Sequence, residues 1–247
     1  MRRALVTGAG KRIGRHIALA LADDGWQIAV HYRSSDAAAD QVVGMIEARG
    51  GKAVAVRADL ADAEACRDLV LRVQERLGGP LTALVNHASA FRSDSADDLS
   101  AFDLNMDVNL RAPLLLSKGF ARHARRGTIV HLIDQRVLKP NPLYFSYTLS
   151  KAALHWAVKT QAQAFAPDIR VVGVGPGPTL ENVDQADGEF EAESEATLLG
   201  HGSPPEAIVA AVRYLLGADA VTGQMIAVDG GQHLTWRTPD LIVGEKM

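Results

Sequence analysis

The chain has 247 residues, 47% of them hydrophobic, and its 26 Lys and Arg against 29 Asp and Glu leave a formal net charge of −3. This length suits one α/β domain, and the near-neutral charge lacks the basic field that attracts nucleic acids and anionic membranes, so we expect neither partner. The single cysteine, Cys66, excludes an intrachain disulfide and a cysteine-built zinc site, and it favours a reducing cytoplasmic setting.

Short apolar runs alternate with segments of helical period along the chain. The runs predict strands at residues 4–7, 27–31, 53–58, 83–85, 128–133, 170–174 and 225–228. The helical segments lie between them at residues 12–24, 37–49, 62–77, 103–123, 147–166 and 205–216. The strands are apolar throughout, which is typical of a parallel sheet with helices on both faces. The sequence therefore predicts one α/β domain over residues 1–247, and we expect no signal peptide or membrane-spanning segment.

Residues 179–203 interrupt this alternation. The segment contains seven acidic residues, Asp184 among them, and no Lys or Arg. Long segments of this kind in compact domains often cover a substrate, so a mobile substrate flap is one interpretation, and a solvated acidic surface loop is the other. After the last predicted strand, residues 235–247 are expected to form a C-terminal tail.

The turn after the first predicted strand is rich in glycine. Gly8, Gly10 and Gly14 let the backbone turn sharply and approach a pyrophosphate, which the N-terminus of the next helix attracts. The spacing departs by one residue from G-x-G-x-x-G, so a tight strand-to-helix connection without a ligand is the alternative. Its position between a strand and a helix favours a dinucleotide site.

The end of the second predicted strand indicates which dinucleotide binds. A carboxylate for the ribose hydroxyls of NAD is missing there, and Arg33 is present, with Arg12 near it in the glycine turn. Guanidinium and hydroxyl donors suit a 2′-phosphate, so NADPH is favoured over a simple exposed arginine. The expected cofactor contacts around these strand ends are Tyr32, Arg33, Ser34, Asp59, Leu60, Asn86 and Ala88.

Tyr147 and Lys151 begin a predicted helix with i, i+4 spacing, so they share one helix face. An ammonium group beside a phenol favours the phenolate and lowers the phenol pKa. The pair therefore suits a proton donor to a group that receives hydride, although this spacing alone is common by chance.

Taken in order, these motifs resemble the short-chain dehydrogenase/reductase family. The matching positions are residues 7–14, 86–89, Asn109, Tyr147, Lys151, Pro176, Gly177 and residues 221–231. The resemblance implies a doubly wound Rossmann fold with about seven parallel strands. It also implies cofactor contacts through Lys11, Ile13, Pro176 and Gly177. A proton relay through Asn109, Lys151 and Tyr147 and a homotetramer built on helices 103–123 and 147–166 are implied as well.

Two departures from the usual family pattern narrow the resemblance. Asp134 stands where a serine usually precedes the catalytic tyrosine, and Arg12 replaces the middle glycine of the cofactor turn. In both positions the sequence resembles pteridine reductases and the dihydromonapterin and dihydrofolate reductases of the short-chain type. That resemblance implies that Phe91 stacks on a pterin ring. The other implied substrate contacts are Arg12, Ser89, Asp134 and Tyr147.

The chemistry of Asp134 points the same way. A carboxylate would repel the negative charge that develops on a carbonyl oxygen, whereas a pterin presents N–H donors and a C=N bond that gains a proton. Asp134 can accept from those donors or orient Tyr147, and Phe91 offers a flat stacking face. The sequence thus predicts an NADPH-dependent reductase of a pterin-type C=N bond, with no metal site.

Two alternatives stay open from the sequence. One is a carbonyl reductase of the same fold, such as a 3-oxoacyl thioester reductase, against which Asp134 argues. The other is an NADPH-binding regulator without turnover, against which the complete set of Tyr147, Lys151 and Asn109 argues.

Overall fold

The computed structural model describes residues 1–181 and 186–236. Its strands are β1 (Arg3–Val6), β2 (Gln27–Tyr32), β3 (Ala53–Arg57), β4 (Ala83–Asn86), β5 (Gly127–Leu132), β6 (Ile169–Pro176) and β7 (Met225–Val228). They form one seven-stranded sheet in the order β3-β2-β1-β4-β5-β6-β7, with parallel neighbours. The predicted doubly wound α/β fold is confirmed. The strand order reverses between β1 and β4, the switch point where such sheets bind ligands.

The helices cover both faces of this sheet. They are α1 (Arg12–Asp23), α2 (Asp36–Glu47), α3 (Ala63–Leu77), α4 (Phe102–Met106), α5 (Ala112–His123), α6 (Phe145–Phe165), α7 (Glu189–Glu195) and α8 (Pro205–Gly217). No helix among the described residues is long and apolar enough to cross a membrane.

Two apolar layers explain why the strands carry so few polar residues. Val6 of β1 packs with Ile17 and Ile208 from α1 and α8 in one layer. Its neighbour Leu5 packs with Phe120 of α5 in the other layer, on the opposite face of the sheet. Because successive strand residues point to opposite faces, both must be apolar. The burial pattern follows directly from helices on both sides.

Two helical features differ from the predicted elements. The predicted helix 103–123 contains a π-helical turn at Asp107–Arg111, between α4 and α5. The spacing of apolar residues does not reveal this wider turn, whose hydrogen bonds join residues five apart, because the helical pattern continues on both sides. The acidic segment, predicted without regular structure, includes helix α7. Asp184 of that segment and residues 237–247 of the tail lie outside the described residues.

Candidate active site

An open cavity of about 1060 Å³ lies at the carboxyl edge of the sheet. Its wall includes most of the predicted site residues: Gly8, Gly10, Lys11, Arg12, Ile13, Tyr32, Arg33, Ser34, Ala88, Ser89, Phe91, Asp134, Tyr147, Lys151, Pro176 and Gly177. The predicted site residues outside this wall are Gly14, Asp59, Leu60, Asn86 and Asn109. The fold thus brings the nucleotide and chemistry motifs to one cavity.

A histidine that sequence reasoning missed holds the glycine turn. Gly8 has a left-handed φ of 67°, and its N–H donates to Nδ1 of His31 on β2 at 3.1 Å. Burial lowers the pKa of His31 to about 4, so the ring is neutral. With Nδ1 accepting, Nε2 carries the proton and donates to the Ala58 carbonyl at 3.2 Å. A polar residue inside an apolar strand was the available sign of this role.

Gly14 is required for packing of the helix on this turn. A Cβ atom at Gly14 would overlap the carbonyl oxygen of Gly8 and lie 2.7 Å from Nδ1 of His87. His87 in turn is tied to the residue after β1, since its backbone N–H donates to Oγ1 of Thr7 at 2.9 Å. Gly14 therefore meets a structural need for close approach, and its predicted cofactor contact stays a prediction.

Arg12 begins α1 with a left-handed φ of 52°, the conformation that glycine adopts without strain. Its guanidinium donates to the carbonyls of Glu181 at 2.8 Å and Leu180 at 3.1 Å. Such a backbone conformation costs on the order of 1–3 kcal/mol and persists where contacts hold it. Arg12 lines the cavity as predicted, while its charged group contacts the start of the acidic segment.

Arg33 lies exposed at the rim of the cavity, where its guanidinium is open to solvent. Asp59, Leu60 and Asn86, at the next strand ends, lie outside the cavity wall, and their cofactor contacts stay predictions. The carboxylate of Asp59 accepts from the Ala61 N–H at 3.0 Å, and Leu60 is buried in the core. Asn86 is buried too, and its amide contacts Nδ1 of His131 at 3.2 Å. These side chains stabilise turns and core rather than line the cavity.

At the opposite end, Tyr147 and Asp134 are joined by a hydrogen bond. The Tyr147 hydroxyl donates to Oδ2 of Asp134 at 2.8 Å. The Asp134 carboxylate also accepts from the backbone N–H of Arg136 at 2.8 Å and forms an ion pair with its guanidinium at 3.4 Å. Of the two predicted roles for Asp134, orienting Tyr147 matches this geometry.

The expected lowering of the Tyr147 pKa by Lys151 is wrong for this arrangement. Burial raises the pKa of Tyr147 well above its ordinary value, and Asp134 raises it further, while Arg136 and the Ser89 hydroxyl oppose the rise. The Lys151 ammonium instead donates to the carbonyl of Leu132 at 2.8 Å and lies 5.8 Å from the Tyr147 ring centroid. Burial lowers the pKa of Lys151 to about 8. Tyr147 is held as a neutral phenol, ready to donate.

Asn109 lies inside the π-helical turn, and its amide organises the neighbouring loop. Its Oδ1 accepts from Oγ of Ser89 at 2.9 Å and from the Ala90 N–H at 2.8 Å. Its Nδ2 donates to the Ala90 carbonyl at 2.8 Å and to Oγ of Ser150 at 3.2 Å. The amide group thus positions Ser89 at the cavity, and a relay from Asn109 to Lys151 stays a prediction.

The sequence did not predict the site roles of three side chains in the cluster that includes Phe91, namely Tyr144, Arg136 and Glu193. The Phe91 ring stacks on Tyr144 with centroids 4.6 Å apart and meets Tyr147 edge-on at 4.7 Å. The Arg136 guanidinium lies 5.5 Å from the Phe91 centroid, and Nη2 of Arg136 lies 3.9 Å from Oε1 of Glu193 on α7. The position of Arg136, next but one to Asp134, was the only local sign of this cluster.

Part of the acidic segment forms one wall of the cavity. Glu189, Phe190 and Glu193 of α7 line it. The segment is fixed at its far end, where the Leu199 N–H donates to the Gly230 carbonyl at 2.9 Å. Gln232, which follows β7, donates from Nε2 to Oε1 of Glu193 at 2.9 Å. An acidic helix therefore faces the chemistry end of the cavity.

Residues 8–233 match the protein-family model described as enoyl-(acyl carrier protein) reductase. The chain belongs to the short-chain dehydrogenase/reductase family. An uncharacterized oxidoreductase from Methylorubrum extorquens is 36% identical over 92% of this chain and 96% of its own length. A 3-oxoacyl-[acyl-carrier-protein] reductase from Synechocystis is 31% identical over 92% of this chain and 95% of its own length.

Solved structures of short-chain dehydrogenases/reductases agree over nearly the whole fold. FolM alternative dihydrofolate reductase 1 from Brucella suis, in complex with NADP, is 40% identical with a TM-score of 0.93, covering 97% of this chain and 98% of that chain. A short-chain dehydrogenase from Burkholderia cenocepacia, also with NADP, is 36% identical with a TM-score of 0.87, covering 94% and 97%. The family resemblance predicted from the motifs is confirmed, and the protein is an oxidoreductase.

Proposed function

We propose that this short-chain reductase uses NADPH to reduce a pterin-type C=N bond in a dihydropterin, dihydromonapterin or dihydrofolate. The observation that carries the proposal is the largely buried carboxylate of Asp134, which accepts a hydrogen bond from the Tyr147 hydroxyl at 2.8 Å beside the Phe91 ring. The likeness to FolM alternative dihydrofolate reductase from Brucella suis supports the same substrate class.

The reaction explains why a carboxylate suits this position. Reduction of a C=N bond adds hydride to carbon and a proton to nitrogen, so the nitrogen needs an acid nearby. Reduction of a ketone instead builds negative charge on oxygen, which Asp134 would repel. The carboxylate can also accept from the N–H donors of a pterin, and the flat ring can stack on Phe91.

The glycine turn and its surroundings fit NADPH, which supplies the hydride when bound. A Cβ atom at Gly8 would lie 3.1 Å from Nδ1 of His87, which is a tight contact. Because Gly8 has no side chain, a ligand can approach the backbone of the turn closely. The start of α1 offers backbone N–H groups to a pyrophosphate. Arg33 and Ser34 at the rim offer the donors that a 2′-phosphate needs.

The remaining predicted roles belong to the proposal. Tyr147 donates the proton, Lys151 contacts the cofactor ribose, and Asn109 completes the relay. Residues 179–203 cover the substrate, and the acidic face of α7 disfavours a glutamate-tailed folate relative to an unconjugated pterin. We further propose a homotetramer, and a cytoplasmic location in keeping with one buried thiol at Cys66.

One assay tests the proposal. NADPH absorbance is followed with purified protein and a panel of dihydropterins, dihydrofolate and a β-ketoester. We expect oxidation with at least one dihydropterin. Oxidation with the ketoester alone would contradict the proposal and favour the second candidate, a 3-oxoacyl thioester reductase, which the Synechocystis relative supports. Binding of NADPH without any oxidation would favour a regulator.

A further inference from the structure

We propose that Arg136 is a positioning residue for proton donation, whose guanidinium is the counter-ion that lets Tyr147 release its proton beside the Asp134 carboxylate. The inference rests on the proposed reduction of a C=N bond. It assigns to a residue outside the Tyr147, Lys151 and Asn109 set the task of balancing charge at the proton donor.

Arg136 holds Asp134 in two ways. It belongs to a short 3-10 turn, Gln135–Val137, that begins three residues after the end of β5. Its backbone N–H donates to Oδ1 of Asp134 at 2.8 Å, and Nη1 lies 3.4 Å from both carboxylate oxygens. Both side chains are largely buried, with 17% of Arg136 and 13% of Asp134 exposed. Because both charges are largely removed from water, loss of either one would leave the other without a compensating charge.

Further contacts fix the guanidinium at the cavity wall without a substrate. It lies 5.5 Å from the ring centroid of Phe91 and 5.1 Å from that of Tyr144, within the range of cation–π attraction. Glu193 of α7 approaches Nη2 from another direction at 3.9 Å. A planar group held by two rings and two carboxylates stays in place while a substrate enters.

The reaction creates a charge problem that this cation solves. Hydride supplied by NADPH adds to the carbon of the C=N bond, and the π electron pair moves to nitrogen. The Tyr147 hydroxyl turns from Asp134 to that nitrogen, and its O–H bond breaks as the N–H bond forms. The phenolate that results lies 2.8 Å from Oδ2 of Asp134, so two negative charges adjoin in a buried site. Arg136 neutralises the carboxylate, and solvent later returns the proton to Tyr147.

The other groups that face Tyr147 do not replace this cation. Lys151 on α6 interacts electrostatically with Asp134, but its ammonium donates its hydrogen bond to the Leu132 carbonyl at 2.8 Å. Ser89, after β4, offers a neutral hydroxyl, and Phe91 and Tyr144 offer rings. Burial and Asp134 raise the pKa of Tyr147 while Arg136 lowers it, which agrees with the geometry. Loss of Arg136 therefore leaves Tyr147 a weaker acid.

Kinetics with Arg136→Met, Arg136→Lys and the exposed control Arg213→Met provide the first test. We expect Arg136→Met to lower kcat for the dihydropterin about 10- to 100-fold, with KM and NADPH affinity changed less than about threefold. The solvent deuterium isotope effect on kcat should increase, and Arg136→Lys should keep an intermediate kcat. Guanidinium ion at about 10 mM, far below denaturing molar concentrations, should restore part of the activity to Arg136→Met. A raised KM with unchanged kcat would overturn the proposal and indicate a substrate contact.

The second test needs no substrate. Urea unfolding of the wild type, Arg136→Met, Asp134→Asn and the double variant measures how strongly the two side chains are coupled. We expect Arg136→Met to lower the urea midpoint more when Asp134 is present than when Asn replaces it, because the contacts of Arg136 with Glu193 and the two rings are lost in both backgrounds. Equal effects in both backgrounds would overturn the pairing. Failure of the proposed function would appear separately, as wild-type protein that oxidises NADPH with none of the dihydropterins.

Discussion

The two ends of the cavity are built from different interactions. At the nucleotide end, the glycine turn is held by neutral partners, with the Gly8 N–H donating to His31 and the His87 N–H donating to Thr7. At the chemistry end, the Tyr147 hydroxyl and the Arg136 guanidinium share one buried carboxylate. Shape and neutral hydrogen bonds maintain the first end, and balanced charge maintains the second.

This difference predicts how substitutions at each end of the cavity should affect binding, stability and rate. Substitutions in the neutral glycine turn should change cofactor affinity and stability, because the backbone of this turn is the surface that would contact the cofactor. A buried charge cluster affects the rate, because removing one member leaves another uncompensated at the reacting groups. Substitutions at the chemistry end should therefore lower kcat, and those at the nucleotide end should weaken NADPH binding or folding.

The largest expected effect separates rate from binding. Tyr147→Phe removes the proton donor but keeps the ring beside Phe91, so turnover should fall about 10²- to 10⁴-fold while NADPH still binds. Steady-state kinetics and fluorescence titration of NADPH measure the two quantities. Tyr214→Phe, in an exposed position on α8, is the matched control and should leave both unchanged. Wild-type turnover in Tyr147→Phe would rule this hydroxyl out as the donor.

The next effect tests the nucleotide end by cofactor discrimination. Arg33→Ala should weaken NADPH binding about 10- to 100-fold, the usual contribution of charge-assisted hydrogen bonds to a phosphate. NADH binding should change little, because it lacks the 2′-phosphate. Dissociation constants for both nucleotides measure the difference. Equal losses for the two would remove the phosphate-binding role of Arg33.

Acid should destabilise the fold through buried neutral histidines. Burial lowers the pKa of His31, His87 and His131 from 6.5 to about 4, so the unfolded chain binds protons between these values and the folded chain does not. Stability is therefore full above about pH 6.5 and falls toward pH 4, by on the order of 1–3 kcal/mol per histidine. Urea midpoints measured at pH 7 and pH 5 test this expectation.

A pair of variants assigns that pH dependence to buried rings. His131→Gln should reduce this dependence by about one third, because His131, buried between Asn86 and Gln161, is one of the three contributing rings. His16→Gln, whose side chain is 43% exposed, should leave it unchanged. Identical midpoints for the wild type at pH 7 and pH 5 would show that these rings do not control acid stability.

The smallest effect concerns the acidic segment. Glu193→Gln keeps an acceptor for Gln232 but removes a charge near Arg136, so kcat should change by no more than about twofold. With that charge removed, the KM of a glutamate-tailed dihydrofolate should fall about two- to fivefold relative to an unconjugated dihydropterin. Comparison of the two KM values is the measurement. A fall for the unconjugated substrate alone would argue against charge as the basis of selection.

Local sequence determined the fold and much of the cavity wall. Strand and helix positions follow from the spacing of apolar residues, since a helix or strand face is set by neighbours a few positions away. The glycines at 8 and 14 indicate backbone that must turn or approach closely, and the Tyr147 and Lys151 spacing places both on α6. These features depend on short-range geometry, so the sequence alone predicts them.

Only the tertiary structure decided how the charged groups pair. Glu193 meets Arg136 because Arg136 follows β5, the acidic segment follows β6, and these two parallel strands end at the same edge of the sheet. Lys151 turns to the Leu132 carbonyl because β5 ends beside α6, which the i, i+4 spacing did not indicate. The direction of the Tyr147 pKa shift depends on burial and on charges from several segments. These pairings and pKa shifts depend on distances between residues far apart in the sequence, and those distances are fixed only when the chain has folded.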